Sequence, residues 1–198
     1  MHFGQLRSDG LQTVRFPNQV LIVAMVAVLA VTALVAHAPQ KDSKTNMLND
    51  MTIEEKQERI IREFSILPDW QERYKHIIKL GTKLPEMDAA DRTEDNLVRG
   101  CQSQVWLTTE LDGNRVVFHA DSDANITKGL AALLVRVYSG ETPETILSTS
   151  PDFIRKIGMQ EHLSPTRANG LAAMVKQMKI YAMAYQSKIA AGENEPAE

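Results

Sequence analysis

The sequence predicts one mixed domain in which several helices surround an antiparallel pair of strands. Two stretches with the period of two that marks a strand carry the first part of that reading. Ser103, Val105 and Leu107 fall on one face and Gln104, Trp106 and Thr108 on the other, and Val116, Phe118 and Ala120 alternate again between Arg115 and Asp121. Between them, Asp112-Gly113-Asn114 is a hairpin signal. The second observation is helical spacing of apolar residues both upstream and downstream of this pair. The third is size: 198 residues, 43% of them hydrophobic, suffice for one filled core and an appendage.

Composition removes several classes of function. The net charge is -3 and the lysines and arginines are scattered, so no basic stripe exists to hold a nucleic-acid backbone. One cysteine forbids an internal disulfide and any multi-thiolate metal site within the chain. The five histidines, His2, His37, His76, His119 and His162, share no ligand-like spacing. No metal is expected.

Residues 1–50 differ from the rest. From Val20 to Ala36 the chain is almost wholly apolar, with Arg7 and Arg15 before it and Ala36-His37-Ala38-Pro39 after. Three readings fit: a secretory signal with a small-x-small cleavage pattern, a short membrane anchor, or translation from a misassigned start ahead of Met47 and Met51. Polar residues from Gln40 to Asp50 then act as a linker to a domain over 51–190.

Thr52-Ile53-Glu54-Glu55 has the form of a capping box, so a helix follows it, with Ile53, Ile60, Ile61 and Phe64 on one face. Pro68-Asp69 separates it from a second helix carrying Trp70, Tyr74, Ile77 and Ile78, an apolar stripe read as core. From Thr82 to Asp95 a proline, several acids and the lack of a period indicate a long surface connection, and connections of this length are often functional. Beyond the hairpin, Asn125 is a candidate N-cap for a helix from Ile126 to Ser139, with Ile126, Leu130, Leu133, Leu134 and Val137 inward and Gly140 as its stop. Thr142-Pro143 and Ser164-Pro165 each set a capping hydroxyl before a proline at the first helical position. The first opens a short helix near Glu144 to Leu147, followed by another over Asp152 to Ile157. The second opens the longest helix, striped by Leu171, Met174, Val175, Met178, Ala182, Tyr185 and Ile189. Residues 191–198 form an acidic tail.

The chemistry concentrates at Val98-Arg99-Gly100-Cys101-Gln102-Ser103-Gln104-Val105-Trp106. Gly100 permits a sharply bent backbone, so Cys101 lies where a loop feeds the strand, with the parity of Val105 and Leu107 and its sulfur inward. Two readings are evenly matched on these residues alone. A buried free cysteine is commonly a small hydrophobe. Against that, Gly100 shapes a loop, and Gln102, Ser103 and Gln104 supply donors that ease thiolate formation. Trp106 is read as core.

With these segments in place, residues from about Thr52 to Ile189 resemble the SufE family of sulfur-acceptor proteins. The resemblance rests on the cysteine stretch, on Asp121-Ser122-Asp123-Ala124 with Lys128-Gly129-Leu130, and on His162-Leu163-Ser164-Pro165-Thr166-Arg167 with Gly170-Leu171. Trp70, Tyr74, Leu80-Gly81 and Leu84-Pro85-Glu86 precede them in order.

The resemblance implies an α+β domain, SufE/NifU-like, with a small antiparallel sheet packed against several helices and Cys101 at a loop tip. It implies that Cys101 accepts persulfide sulfur from a SufS-like cysteine desulfurase, stimulates that enzyme, and hands the sulfur to an iron–sulfur scaffold. The chain needs no cofactor of its own, because the pyridoxal phosphate belongs to the desulfurase. Arg99, Gly100, Gln102, Ser103, Gln104, Asp123 and Arg167 form the implied loop and partner interface, with Gly100 as candidate hinge. Asp123 and Arg167 either hold the loop or touch the partner, against ordinary helix capping for Asp123 and an ordinary surface role for Arg167. The alternatives are a thiol-dependent peroxidase or hydrolase, which needs a base beside the sulfur, and a non-catalytic adaptor. The expected location is cytoplasmic, with a membrane-tethered form second; a homodimer is open.

Overall fold

The computed structural model describes residues 51–192. The apolar segment 20–36, the rest of the 1–50 extension and residues 193–198 of the tail lie outside the described residues. Helix α1 (Ile53–Ser65) begins at the capping box: Glu55 N donates to Thr52 Oγ1, and Thr52 N donates to Glu55 Oε2 at 2.8 Å. Ile53, Ile60 and Phe64 are buried on its inner face. Helix α2 (Trp70–Gly81) is capped by Asp69, whose side chain accepts from Glu72 N. Strands β1 (Val105–Asp112) and β2 (Arg115–Ser122) form an antiparallel ribbon with a two-residue turn. Gly113 there has φ 65° while Asn114 keeps negative φ, the combination of a type II′ turn whose twist suits a hairpin.

Helix α3 (Asn125–Tyr138) is the centre of the domain, packing on α1, α2, β2 and the last helix. Sequence spacing foresees one apolar face for it, yet Gly129, Ala131, Ala132 and Tyr138 are buried as well, because neighbours cover it on several sides. The short helices α4 (Pro143–Ser148), α5 (Asp152–Lys156) and α6 (Met159–His162) lead to α7 (Pro165–Ala191), which Ser164 caps and Gly192 ends at φ 76°. The stripe of α7 is buried at Leu171, Met174, Met178 and Ala182; Ile189 beyond it is only half-buried. The domain is α+β.

Four expectations are corrected. Strand β1 starts at Val105, and the alternation that reaches back to Ser103 and Gln104 does not extend it, because residues 102 and 103 bend around the cysteine loop. Trp106 is half-buried and outside the core cluster: the strand's period of two turns it away from Val105 and Leu107. Asn125 lies within α3, whose N-cap is Ala124, without a side-chain bond. The connection after α2 is also more ordered than its composition suggests, with a 3-10 turn at Ala89–Asp91 and a bridge from Leu97 to Trp106. Leu107 N donates to Asn96 O at 2.9 Å and Val98 N to Val105 O at 2.8 Å, so residues 96–98 act as a short third edge on β1.

The far edge of the ribbon is covered too. Val116 N donates to Glu141 O, and Gly140 N to Val116 O, both at 2.8 Å. Lys56, in the inner stripe of α1, is 6% exposed and donates to Glu141 Oε1 at 2.6 Å and to Ser139 O at 3.0 Å. A buried ammonium is tolerable there only because both bonds accompany it.

Candidate functional site

Cys101 lies on the six-residue loop 99–104, closed at its base by the Val98 to Val105 bond. Gly100 has φ 96°, a backbone conformation that a Cβ would strain, and this turn directs the next side chain across to α7. The Cys101 sulfur rests against Gly170, 3.5 Å from its carbonyl oxygen, to which the thiol donates a weak hydrogen bond. A Cβ on Gly170 would lie 3.2 Å from that sulfur, so the glycine is what lets the loop close so near the helix. Inward placement of the thiol is therefore seen, but it comes from the loop and α7 rather than from strand pleat.

Around the sulfur lies a groove of about 540 Å³. Its buried lining is Leu130, Gly170, Leu171 and Met174, and its exposed rim includes Gln102, Asn125, Thr166 and Arg167. Of the residues singled out in the sequence, Cys101, Gln102, Ser103 and Arg167 meet at this groove. Thr127 Oγ1 donates to Ser103 Oγ at 3.3 Å, linking the loop to the first turn of α3. Arg99 points elsewhere, to Glu94 at 3.3 Å. Gln104 and Asp123 tie the loop's outgoing end. Gln104 N donates to Asp123 Oδ1 at 3.0 Å, and the Gln104 carbonyl accepts from Ser122 Oγ at 2.7 Å and Asp123 N at 3.3 Å. Asp123 thus holds the loop and does not cap α3.

Several lining residues escape sequence reasoning, chiefly Ile78, Thr127, Leu130 and Met174. They come from α2, α3 and α7; helical spacing marks Ile78, Leu130 and Met174 only as members of apolar stripes, and nothing local brings them to the thiol. Gly170 does leave a trace, since a glycine in the second turn of a long helix costs about 1 kcal/mol of propensity and so signals a close approach. The start of α7 is fixed by α2: Tyr74 Oη donates to the His162 carbonyl at 2.6 Å, and Trp70 stacks on the His162 ring at 3.6 Å.

Burial pushes the Cys101 thiol above its ordinary pKa. No histidine lines the groove among the described residues. His119 Nε2 is 3.3 Å from Glu110 Oε1, and His162 is stacked on Trp70. Among the described residues, no three His, Cys, Asp or Glu side chains gather as a metal site would need, and no helix is long and apolar enough to cross a membrane. The sign of the thiol shift has a measurable result. At any given pH the folded protein holds less thiolate than the unfolded chain, so the alkylation rate of native Cys101 should reach its half-maximum at higher pH than in denaturant. A native midpoint at or below the unfolded one would contradict the sheltered thiol.

These features define an α+β domain built to keep one thiol half-covered at a loop tip. The sequence profile of the SufE, Fe–S metabolism associated, domain matches residues 58–182. The chain belongs to the SufE family. It is 42% identical over 127 residues to a SufE-like protein of Rhizobium meliloti, covering 62% of this chain and 91% of that one. It is 38% identical over 135 residues to a SufE-like protein of Synechocystis, covering 68% of this chain and 85% of the relative. Among solved structures, a hypothetical protein from Thermus thermophilus, determined in solution, superposes with TM-score 0.57 at 25% identity over 67% of this chain and 96% of its own.

Proposed function

We propose that this protein is a sulfur acceptor that takes persulfide sulfur from a cysteine desulfurase onto Cys101, stimulates that enzyme, and hands the sulfur on for iron–sulfur cluster assembly. The observation that carries the reading is the half-covered lone thiol on a loop closed against a groove with room for a second sulfur and, among the described residues, no base in its lining. Cys101 loses its proton on docking, and its thiolate attacks the terminal sulfur of the donor's persulfide. One S–S bond forms as the donor's breaks, and the donor sulfur leaves as a thiolate that takes up a proton. No external oxidant or reductant is consumed. A peroxidase or hydrolase would need a base beside the sulfur, and among the described residues no His, Asp or Glu lines the groove.

The partner is a SufS-like enzyme that brings its own pyridoxal phosphate, and the natural setting for the exchange is the cytoplasm. Gly100 serves as hinge. Gln102, Ser103 and Arg167 meet the partner at the groove's rim, Arg99 meets it beside the loop, and Gln104 with Asp123 hold the loop at rest. Incubation with desulfurase and cysteine under anaerobic conditions should add one sulfur atom, about 32 Da, to the peptide bearing Cys101. An unmodified peptide after full desulfurase turnover would refute the acceptor role.

A further inference from the structure

Asp121 is the penultimate residue of β2, two residues before Asp123, and its side chain is 4% exposed. It accepts from Arg92 Nη2 at 2.7 Å and from Ser122 N at 2.8 Å, with Lys128 Nζ at 2.7 Å. Burial raises its carboxyl pKa, but the bonds from Lys128 and Ser122 and the charges of Lys128 and Arg92 outweigh burial and hold it below the usual range. The two cations come from different places. Lys128 belongs to α3, the centre of the core, whereas Arg92 belongs to the connection that leads into the cysteine loop. Residues 121–123 therefore tether both flanks of that loop: Arg92 to Asp121 on the incoming side, Gln104 to Asp123 on the outgoing side.

Removing the sole partner of a buried charge is costly because the charge is left uncompensated. Asp121 escapes that constraint. If Arg92 lets go, Lys128 still neutralises the carboxylate, and the guanidinium, already 36% exposed, enters water. The reverse exchange is not available to Lys128, which is only 24% exposed and fixed on a packed helix. We propose that Arg92 is a positioning residue for Cys101, clamping the loop through Asp121 and releasing it, while Lys128 keeps the buried carboxylate paired in the open state. Once Arg92 is off, the Leu107 to Asn96 and Val98 to Val105 backbone bonds hold the edge segment on β1. Such an edge opens locally without global unfolding. The clamp rests on the acceptor reading for its purpose, but its geometry stands alone.

The test is Arg92→Gln in the full chain, with Cys101 alkylated by iodoacetamide in the absence of any desulfurase. The variant should react roughly tenfold faster than wild type, the effect of losing one charge-assisted bond. The amides of Val98 and Leu107 should exchange faster while that of Val116, at the opposite edge, keeps its rate. Arg59→Gln, which removes an arginine paired with Glu63 on α1, should alkylate like wild type. An Arg92→Gln protein that alkylates at the wild-type rate overturns the clamp. So does one in which Val98, Leu107 and Val116 speed up together, since that reports general loosening. A fast-reacting Arg92→Gln beside a wild type that a desulfurase never loads would overturn the acceptor reading and leave the clamp standing.

Discussion

Cys101→Ser should carry no sulfur. Where wild type gains one atom per chain from a desulfurase and cysteine, the serine protein should keep its unmodified mass at every time point, because an alcohol forms no persulfide under these conditions. The fold should survive. Sulfur and oxygen differ modestly in size, the site is half-buried, and the bond lost to the Gly170 carbonyl is a long, weak one, so the stability change should stay within about 1 kcal/mol. The variant therefore separates chemistry from structure. It also separates carrier from adaptor: stimulation of the desulfurase should fall with the loss of sulfur acceptance. Serine protein that stimulates as fully as wild type would make the thiol incidental.

Gly129→Ala should give the largest loss of stability from a single methyl group. A Cβ at Gly129 would collide with the carbonyl oxygen of Ile77 and lie 2.6 Å from its Cγ2. Opposite, a Cβ on Gly81 would lie 2.8 Å from Gly129 N. Helices α2 and α3 thus meet backbone to backbone, and the obstruction is main chain that cannot rotate away. Overpacking of this kind costs about 3 kcal/mol or more, while alanine's better helix propensity returns about 1 kcal/mol. The collision wins, by about 2 kcal/mol, and Tm should fall by roughly 4–8 °C. A melt within a degree of wild type would mean that the two helices are not in contact there.

Much of the scaffold is legible locally. The capping box at Thr52, the hydroxyl-proline starts at Pro143 and Pro165, and the turn at Gly113 each satisfy backbone groups within a few residues, so their signals lie within a few residues too. Trp106 is misjudged because size argues for burial while parity argues against it, and parity prevails once the sheet has only one covered face. Asn125 is misjudged because the polar side chain that would cap α3 is one residue late; Asp123, the other candidate, spends its carboxylate on Gln104.

The lone cysteine, its glycine neighbour and the polar run after it are stated by the sequence alone, as are the family motifs around them, because each is a matter of residue identity in order. How the thiol is kept was decided only by tertiary structure. Its cover comes from Gly170, 69 residues away, and the groove beneath it from α3 and α7. The buried carboxylate that tethers the loop finds its arginine 29 residues upstream. Such pairings depend on where separate elements come to rest against one core, and short-range periodicity and capping chemistry hold no record of that distance.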